Sequence, residues 1–337
     1  MRRILIDENV IAIANDYWQA LKDKKALTWK EMPIKRLQMV YDALDEWSGL
    51  RCYVSFLMMY YDRILLLHSS DFCAFHDAYF GQWNTEDLNV IITVKKKTMP
   101  FYQAIQWAMR YDDVRSSLLP SFLGRLGINA CVYCNEVIIT SGEKIENGNH
   151  EIWARYEVDH SYPKDKYPYL STSFYNFQPS CSNCNKSKSD KMALFNLYAD
   201  DTGKQDVFRF SIGSADQILK SLFKHNPNAL DIHLTANENG LQQNHDDLFH
   251  VESIYQRNHR RDAWRILDIL YNHEDSYIIS LKAFLCGHLT KNNHDILLDY
   301  FREYDYDMNK DMVHNKPLNK LAQDIVEFYE MGKREEF

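Results

Sequence analysis

The sequence predicts a mainly α-helical chain with a small α+β insert. Apolar residues recur at helical spacing on both sides of the chain's middle. The stretch from about 128 to 195 is instead rich in Cys, Asn, Ser, Tyr and Pro, with short extended runs. That stretch also carries two C-x-x-C pairs, the spacing by which a metal supplies stability that a small core cannot. The expected division is a helical N-terminal domain over 1–127, a metal-stabilised module over 128–195, and a C-terminal region over 196–337 of short strands followed by helices.

In the first region, Leu37, Val40, Tyr41 and Leu44, followed by Trp47, mark one apolar helical face. Tyr53 to Leu67 is the most apolar run, but it is too short to span a bilayer and contains Asp62 and Arg63, so it reads as a buried helix rather than a membrane segment. Lys95-Lys96-Lys97 and Pro100 predict a loop, and Pro120 begins the approach to the first cysteine pair. Val137-Ile138-Ile139 and Tyr156-Glu157-Val158 read as extended. Beyond 195, Val207–Ile212 and Leu230–Leu234 read as strands of a small sheet capping the module, with Asn239-Gly240 as a turn signal. From Leu248 the spacing of Ile254, Ala263, Trp264, Leu267 and Leu270 is helical again, towards a charged tail at Lys333–Glu336.

Thirty-nine Lys and Arg against 47 Asp and Glu give a net charge of -8, which excludes a uniformly basic nucleic-acid binder. Any nucleic-acid partner must be attracted by a local basic patch or by a second protein. Asp7 and Glu8 interrupt the apolar start, so no signal peptide is expected, and the cysteine pairs fit metal binding in a reducing compartment, the cytoplasm, better than a disulfide scaffold. Cys52, Cys73 and Cys286 stand singly in apolar surroundings and are expected in the core.

Cys131-Val132-Tyr133-Cys134 and Cys181-Ser182-Asn183-Cys184 are expected to clamp one tetrahedral zinc ion. Four thiolates close the zinc's coordination shell and leave no place for a water, so this zinc is structural. The distinctive residues between the pairs must carry any chemistry.

Those residues run Glu157-Val158-Asp159-His160, then Pro163, then Asn176-Phe177-Gln178-Pro179, then Cys184-Asn185-Lys186-Ser187-Lys188-Ser189-Asp190-Lys191. The order C-x-x-C, E-V-D-H-x-x-P, N-F-Q-P-x-C-x-x-C-N-x-x-K-S-D-K resembles the HNH endonucleases, over about a fifth of the chain. The resemblance implies a ββα-metal module with a four-cysteine zinc knuckle, flanked by helical domains. It implies His160 as the general base that deprotonates water, Asp159 as a ligand of a catalytic Mg²⁺ or Mn²⁺, Asn176 as the anchor of the histidine's loop, and Asn185 as the second protein ligand of that ion. The residue types suit these tasks: an imidazole titrates near working pH, and carboxylate and amide oxygens are hard ligands. The loop Lys164-Asp165-Lys166-Tyr167-Pro168-Tyr169 lacks the glycine pair often found there, a departure that bears on how substrate is held.

The same resemblance implies DNA, duplex in the first instance, as substrate, and a place in a bacterial anti-phage defence system of Septu type beside an ATPase partner. The chain has no phosphate-binding G-x-x-x-x-G-K-[ST] loop, so ATP dependence would come from that partner. RNA cleavage and a catalytically inactive zinc-stabilised binding module are the alternatives. Lys186, Lys188 and Lys191 are expected either to contact the phosphate backbone or to form a solvated helix face. From Arg155 to Lys191 there are six basic against four acidic residues. Arg257, His259, Arg260, Arg261 and Arg265 form a second basic cluster, either a nucleic-acid track or a salt-bridged face. His225, His233, His245, His250 and His259 share no ligand spacing and read mostly as surface or core histidines, and the tyrosines at 156, 162, 167, 169 and 175 read mainly as core filling, with base stacking as the alternative.

Overall fold

The computed structural model describes residues 1–23, 27, 29–146, 149–272 and 301–335, and the architecture is mainly helical with five two-stranded pairings. Among the described residues no helix is long and apolar enough to cross a membrane. The chain groups into two compact units, one of Arg3–Leu126 with Ile139–Gln205, the other of Met1–Arg2, Gly127–Ile138 and Asp206–Phe337. The expected 128–195 segment is thus divided between them.

The first unit opens with β1 (Ile4–Leu5), paired in parallel with β8 (Tyr198–Ala199). Helix α1 (Glu8–Lys22) starts at Asp7, whose carboxylate accepts the Val10 amide, and its Val10, Ile13, Ala14, Tyr17 and Leu21 repeat at helical spacing on the buried face. Pro33 begins α2 (Pro33–Asp42), where its fixed φ suits a first turn. The apolar run expected as one helix is two, α3 (Leu50–Met59) and α4 (Tyr61–Leu65), broken at Tyr60, with Tyr53, Val54, Leu57, Ile64 and Leu65 buried. Helices α5 (Phe72–Tyr79) and α6 (Thr85–Leu88) follow, the latter closed by a capping box between Asn84 and Asp87.

The expected loop at Lys95–Lys97 is instead the turn of a hairpin between β2 (Ile91–Val94) and β3 (Lys97–Pro100). Ile91 to Val94 alternate exposed and buried, a period of two, and Lys95 and Lys96 both take the left-handed backbone that Asn-Gly usually supplies. Helix α7 (Phe101–Ala108) leads through α8 (Tyr111–Asp113) and a wide turn at Val114–Leu118 into α9 (Leu119–Arg125). The hairpin β4 (Thr140–Glu146) and β5 (Asn149–Arg155) packs on α9. Gly142 is required there, because the Trp153 ring crosses it where a Cβ would lie 2.4 Å from the indole. A hairpin of β6 (Glu157–His160) and β7 (Phe177–Ser180) follows and leads directly into α10 (Ser182–Lys188).

Two of the expectations for single cysteines are corrected: Cys52 and Cys73 are exposed, each on the solvent side of its helix, while Cys286 lies outside the described residues. Val137–Ile139 forms no strand; only an isolated bridge joins Ala130 to Ile138, and Ile138 is exposed.

The second unit contains β9 (Phe208–Ile212) antiparallel to β10 (Ile232–Ala236), with α11 (Ala215–Phe223) between them in sequence. The expected strands are therefore present, and the pair is covered by α13 (Val251–Asn258) and α15 (Asn319–Glu335) of its own unit. Gly240, with φ +73°, introduces α12 (Leu241–Phe249) rather than a strand, and α14 (Arg260–Asn272) follows α13. In the basic cluster, Arg260 and His259 are salt-bridged, to Asp231 and to Glu136 with Asp262, whereas Arg257, Arg261 and Arg265 are exposed.

His259 has a checkable consequence. Burial alone would lower its pKa, but hydrogen bonds to Asp262 at 2.9 Å and to Glu136 at 3.1 Å outweigh burial and raise it. A raised folded pKa means that the imidazolium stabilises fully below the unfolded value near 6.5 and that this contribution disappears as pH rises through the folded value. His259→Gln is expected to cost roughly 1 kcal/mol in urea melts at pH 6 and markedly less at pH 9; an equal cost at both pH values would contradict the pairing.

Candidate functional site

The site is built on β6, β7 and α10, in the order strand, strand, helix. Register places Asp159 opposite Gln178 and His160 opposite Phe177. Val158, Asp159 and His160 are all buried at the end of β6. The segment between the two strands is held by aromatic packing from the helices of the same unit: Tyr17 of α1 meets Phe174 and Phe177, its hydroxyl donates to the Thr172 carbonyl at 2.8 Å, and Tyr169 stacks on Phe80 at 4.0 Å between ring centres. Each such ring, fully buried, contributes roughly 1.5–3 kcal/mol.

Asn176 is fully buried inside that segment. Its Oδ1 accepts from the Tyr162 amide at 2.9 Å and from Ser161 Oγ at 3.3 Å, and its Nδ2 donates to the carbonyls of Tyr162 and Leu170, both at 3.1 Å. One amide thus pins both ends of the loop that leaves His160. Asn176→Ala would leave several of these groups unsatisfied in the interior and is expected to lower stability by roughly 2–3 kcal/mol in chemical denaturation; a loss below about 0.5 kcal/mol would show that the loop holds itself.

His160 Nε2 lies 3.0 Å from the Ser171 carbonyl oxygen. A carbonyl only accepts, so Nε2 carries the proton and the lone pair of the neutral ring sits on Nδ1. Burial lowers the His160 pKa to about 3; the bond to Ser171 acts in the opposite sense, and Lys164, Lys188 and Arg115 lower it further. The imidazole is therefore neutral at physiological pH. The rings of Tyr111 and Phe177 flank it at 5.2 and 5.5 Å.

Asp159, His160 and Asn185 line one open cleft of ≈ 520 Å³, together with Lys164, Lys186 and Arg115. Five carboxylates border it, those of Asp112, Glu157, Asp159, Asp165 and Asp190, against the three cations just named. Some of this charge is paired on the rim: Arg115 meets Glu157 at 2.6 Å, both half-exposed. Lys164 meets Asp165 at 3.6 Å, Lys166 meets Asp190 at 3.4 Å and the Lys188 ammonium meets Asp159 at 3.2 Å, so most of the acid at the cleft is matched by a neighbouring cation.

The three lysines part company. Lys186 is exposed and on the cleft, and Lys191 is exposed but does not line it. For Lys188 neither the phosphate contact nor the solvated face holds: its side chain is 0% exposed and its Nζ lies 3.2 Å from Asp159 Oδ1. Burial pulls the ammonium's pKa down against the pull of Asp159 upward. The sequence hid this because a lysine in a charge run reads as solvated. The signal that could have found it is helical phase: Cys184 and Lys188 stand four apart and are the two buried positions of α10. The turn is completed by Ser189 at φ +51°, ψ -125°, a backbone that a non-glycine residue adopts at a cost of order 1–3 kcal/mol.

The Sγ atoms of Cys131, Cys134, Cys181 and Cys184 lie within 4.8 Å of one another and all four residues are buried. Zinc–sulfur bonds of ≈ 2.3 Å span a tetrahedron with edges of about 3.8 Å, so these four cysteines can hold a zinc ion with little movement. Each pair is shaped for it. Asn135 turns the first knuckle at φ +53°, with its amide donating to the Cys131 carbonyl at 2.8 Å, and Tyr255 Oη donates to the Cys134 carbonyl at 2.9 Å. Cys181 caps α10, accepting the Cys184 amide on sulfur at 3.5 Å. Among the described residues no other group of three or more His, Cys, Asp or Glu forms such a cluster. His245 is buried against the Tyr133 carbonyl at 2.8 Å and His233 faces Glu252 at 3.3 Å, so these histidines do not converge.

The chain matches no family model, no curated protein and no solved structure.

Proposed function

We propose that the chain is a metal-dependent endonuclease of the HNH, or ββα-metal, type that hydrolyses phosphodiester bonds of DNA. The observation that carries the reading is the convergence of Asp159, His160 and Asn185 on one cleft, with the imidazole held so that Nδ1 keeps its lone pair. Asp159 and Asn185 would hold a Mg²⁺ or Mn²⁺ ion, which when bound supplies charge stabilisation for the phosphate and its leaving oxygen. His160 Nδ1 would take the proton of the attacking water, its tautomer fixed by the Ser171 carbonyl. The imidazolium that follows forms in a buried setting, and the negative charge gathered on the phosphate during attack is what sustains it. Asn176 keeps the loop behind the ring in place, and Lys186 and Lys164 on the cleft supply contacts to the phosphate backbone.

The acidic overall balance suits a chain that works beside a DNA-capturing partner, an ATPase in a defence complex being the one the sequence resemblance implies. The test is purified protein with supercoiled plasmid, single-stranded DNA and RNA, each with Mg²⁺ or Mn²⁺ and with the metal chelated, alone and with the product of the neighbouring gene. Nicking that requires the ion and is lost in Asp159→Asn is the expected result. Cleavage confined to RNA would move the substrate, and metal-independent cleavage would remove the mechanism. A second reading, a zinc-stabilised binding module without catalysis, draws on the Lys188 ammonium seated on Asp159; that chain would bind nucleic acid and cut nothing.

A further inference from the structure

We propose that Lys188 is a positioning residue that matches charge at the cation site: its ammonium neutralises Asp159 when no divalent ion is present and holds the site's own affinity for one low, so that ion and phosphate bind together. The inference rests on the nuclease reading for the identity of the ligands, and its readout is ion binding rather than cleavage.

The geometry is specific. Of the three lysines at 186, 188 and 191, the first and last are exposed and Lys188 turns inward, to 0% side-chain exposure, with Nζ 3.2 Å from an Asp159 carboxylate that is itself 8% exposed. The backbone is bent to deliver it, since α10 ends at Lys188 and Ser189 takes a left-handed φ of +51° that favours glycine. Asp159 also lines the cleft, so the residue that holds the ammonium borders the candidate cation site.

The consequence follows from Coulomb's law. A fixed positive charge a few ångströms from a divalent cation repels it, and the repulsion is large where water is excluded. With Lys188 in place Asp159 contributes no net charge, and the empty site is a poor magnesium trap. A phosphodiester entering the cleft adds the negative charge that the site lacks. Ion affinity should therefore rise when nucleic acid is bound, and by reciprocity nucleic-acid affinity should rise with the ion.

The experiment measures Mn²⁺ binding to the full zinc-loaded chain by electron paramagnetic resonance, without nucleic acid and with a short duplex. Lys188→Met and Lys188→Gln are compared with the unaltered chain; the glutamine keeps a donor for Asp159 and loses only the charge. Both variants are expected to bind Mn²⁺ roughly tenfold or more tightly without DNA, and to show a smaller gain when DNA is added. Asp159→Asn should bind none. Unchanged or weakened Mn²⁺ binding in the two lysine variants, no Mn²⁺ binding in any form, or failure of both variants to fold would overturn the proposal, the last by marking the pair as purely structural. Lys188-dependent ion binding in a chain that cuts nothing would keep this inference and remove the nuclease reading; cleavage with Lys188-independent binding would do the reverse.

Discussion

Replacing Cys184 by serine is expected to strip the chain of zinc and to abolish its cooperative thermal transition near physiological temperature. Cys184 is 6% exposed and its Sγ lies within 4.8 Å of the three others, so the variant leaves three buried thiols around a serine that is a poor zinc ligand. Structural zinc in small domains is worth about 10–16 kcal/mol of apparent binding energy, comparable with the roughly 5–15 kcal/mol by which a typical folded chain is stable. The cysteine also sits in the first turn of the helix that carries Asn185 and Lys188, so the fold and the candidate site should fail together. Zinc content by mass spectrometry of the metal and melting by circular dichroism are the measurements. Cys52→Ser, on an exposed position, is the control and should leave both unchanged. A Cys184→Ser chain that retains zinc and melts as before would remove the metal-clamp assignment.

His160→Ala is expected to reduce cleavage by about 10²- to 10⁴-fold while leaving zinc content and Mn²⁺ binding in place. The ring sits at the end of β6 with Nε2 committed to the Ser171 carbonyl, and it is the one imidazole among the described residues that line the cleft. Some stability will be lost with it, because the alanine leaves a cavity between Tyr111 and Phe177 and an unpaired carbonyl. Plasmid nicking at equal concentrations of folded protein separates the two effects. A rate within a few-fold of the unaltered chain would assign the proton transfer to another group.

Much of this arrangement is legible in the residues themselves. The C-x-x-C spacing announces the four cysteines, because two such turns present thiolates to one centre whatever the rest of the chain does. Asp159 and His160 stand out only through their place between those pairs, and Asn176 through its distance from them. What escaped was set by tertiary context. Lys95-Lys96 form a hairpin turn without the glycine or asparagine that would have advertised it, and Lys188 is turned inward by a helix end whose strain no propensity foretells. The β4–β5 hairpin has its own signal in the residues, since Asn147-Gly148, a strong turn pair, lies between its strands in the sequence. The single cysteines misled because apolar neighbours on a helix say little about which face a given residue occupies.

Tyr17, more than 140 positions upstream of His160, packs on Phe174 and Phe177 and bonds to Thr172, while Phe80 supports Tyr169. The strand–strand–helix segment therefore leans on a wall of aromatic side chains drawn from the N-terminal helices. Trimming the chain down to that segment would remove the wall and leave rings exposed to water, and the loop behind the imidazole would be free to wander. A minimal fragment would keep every residue of the candidate site and lose the alignment among them.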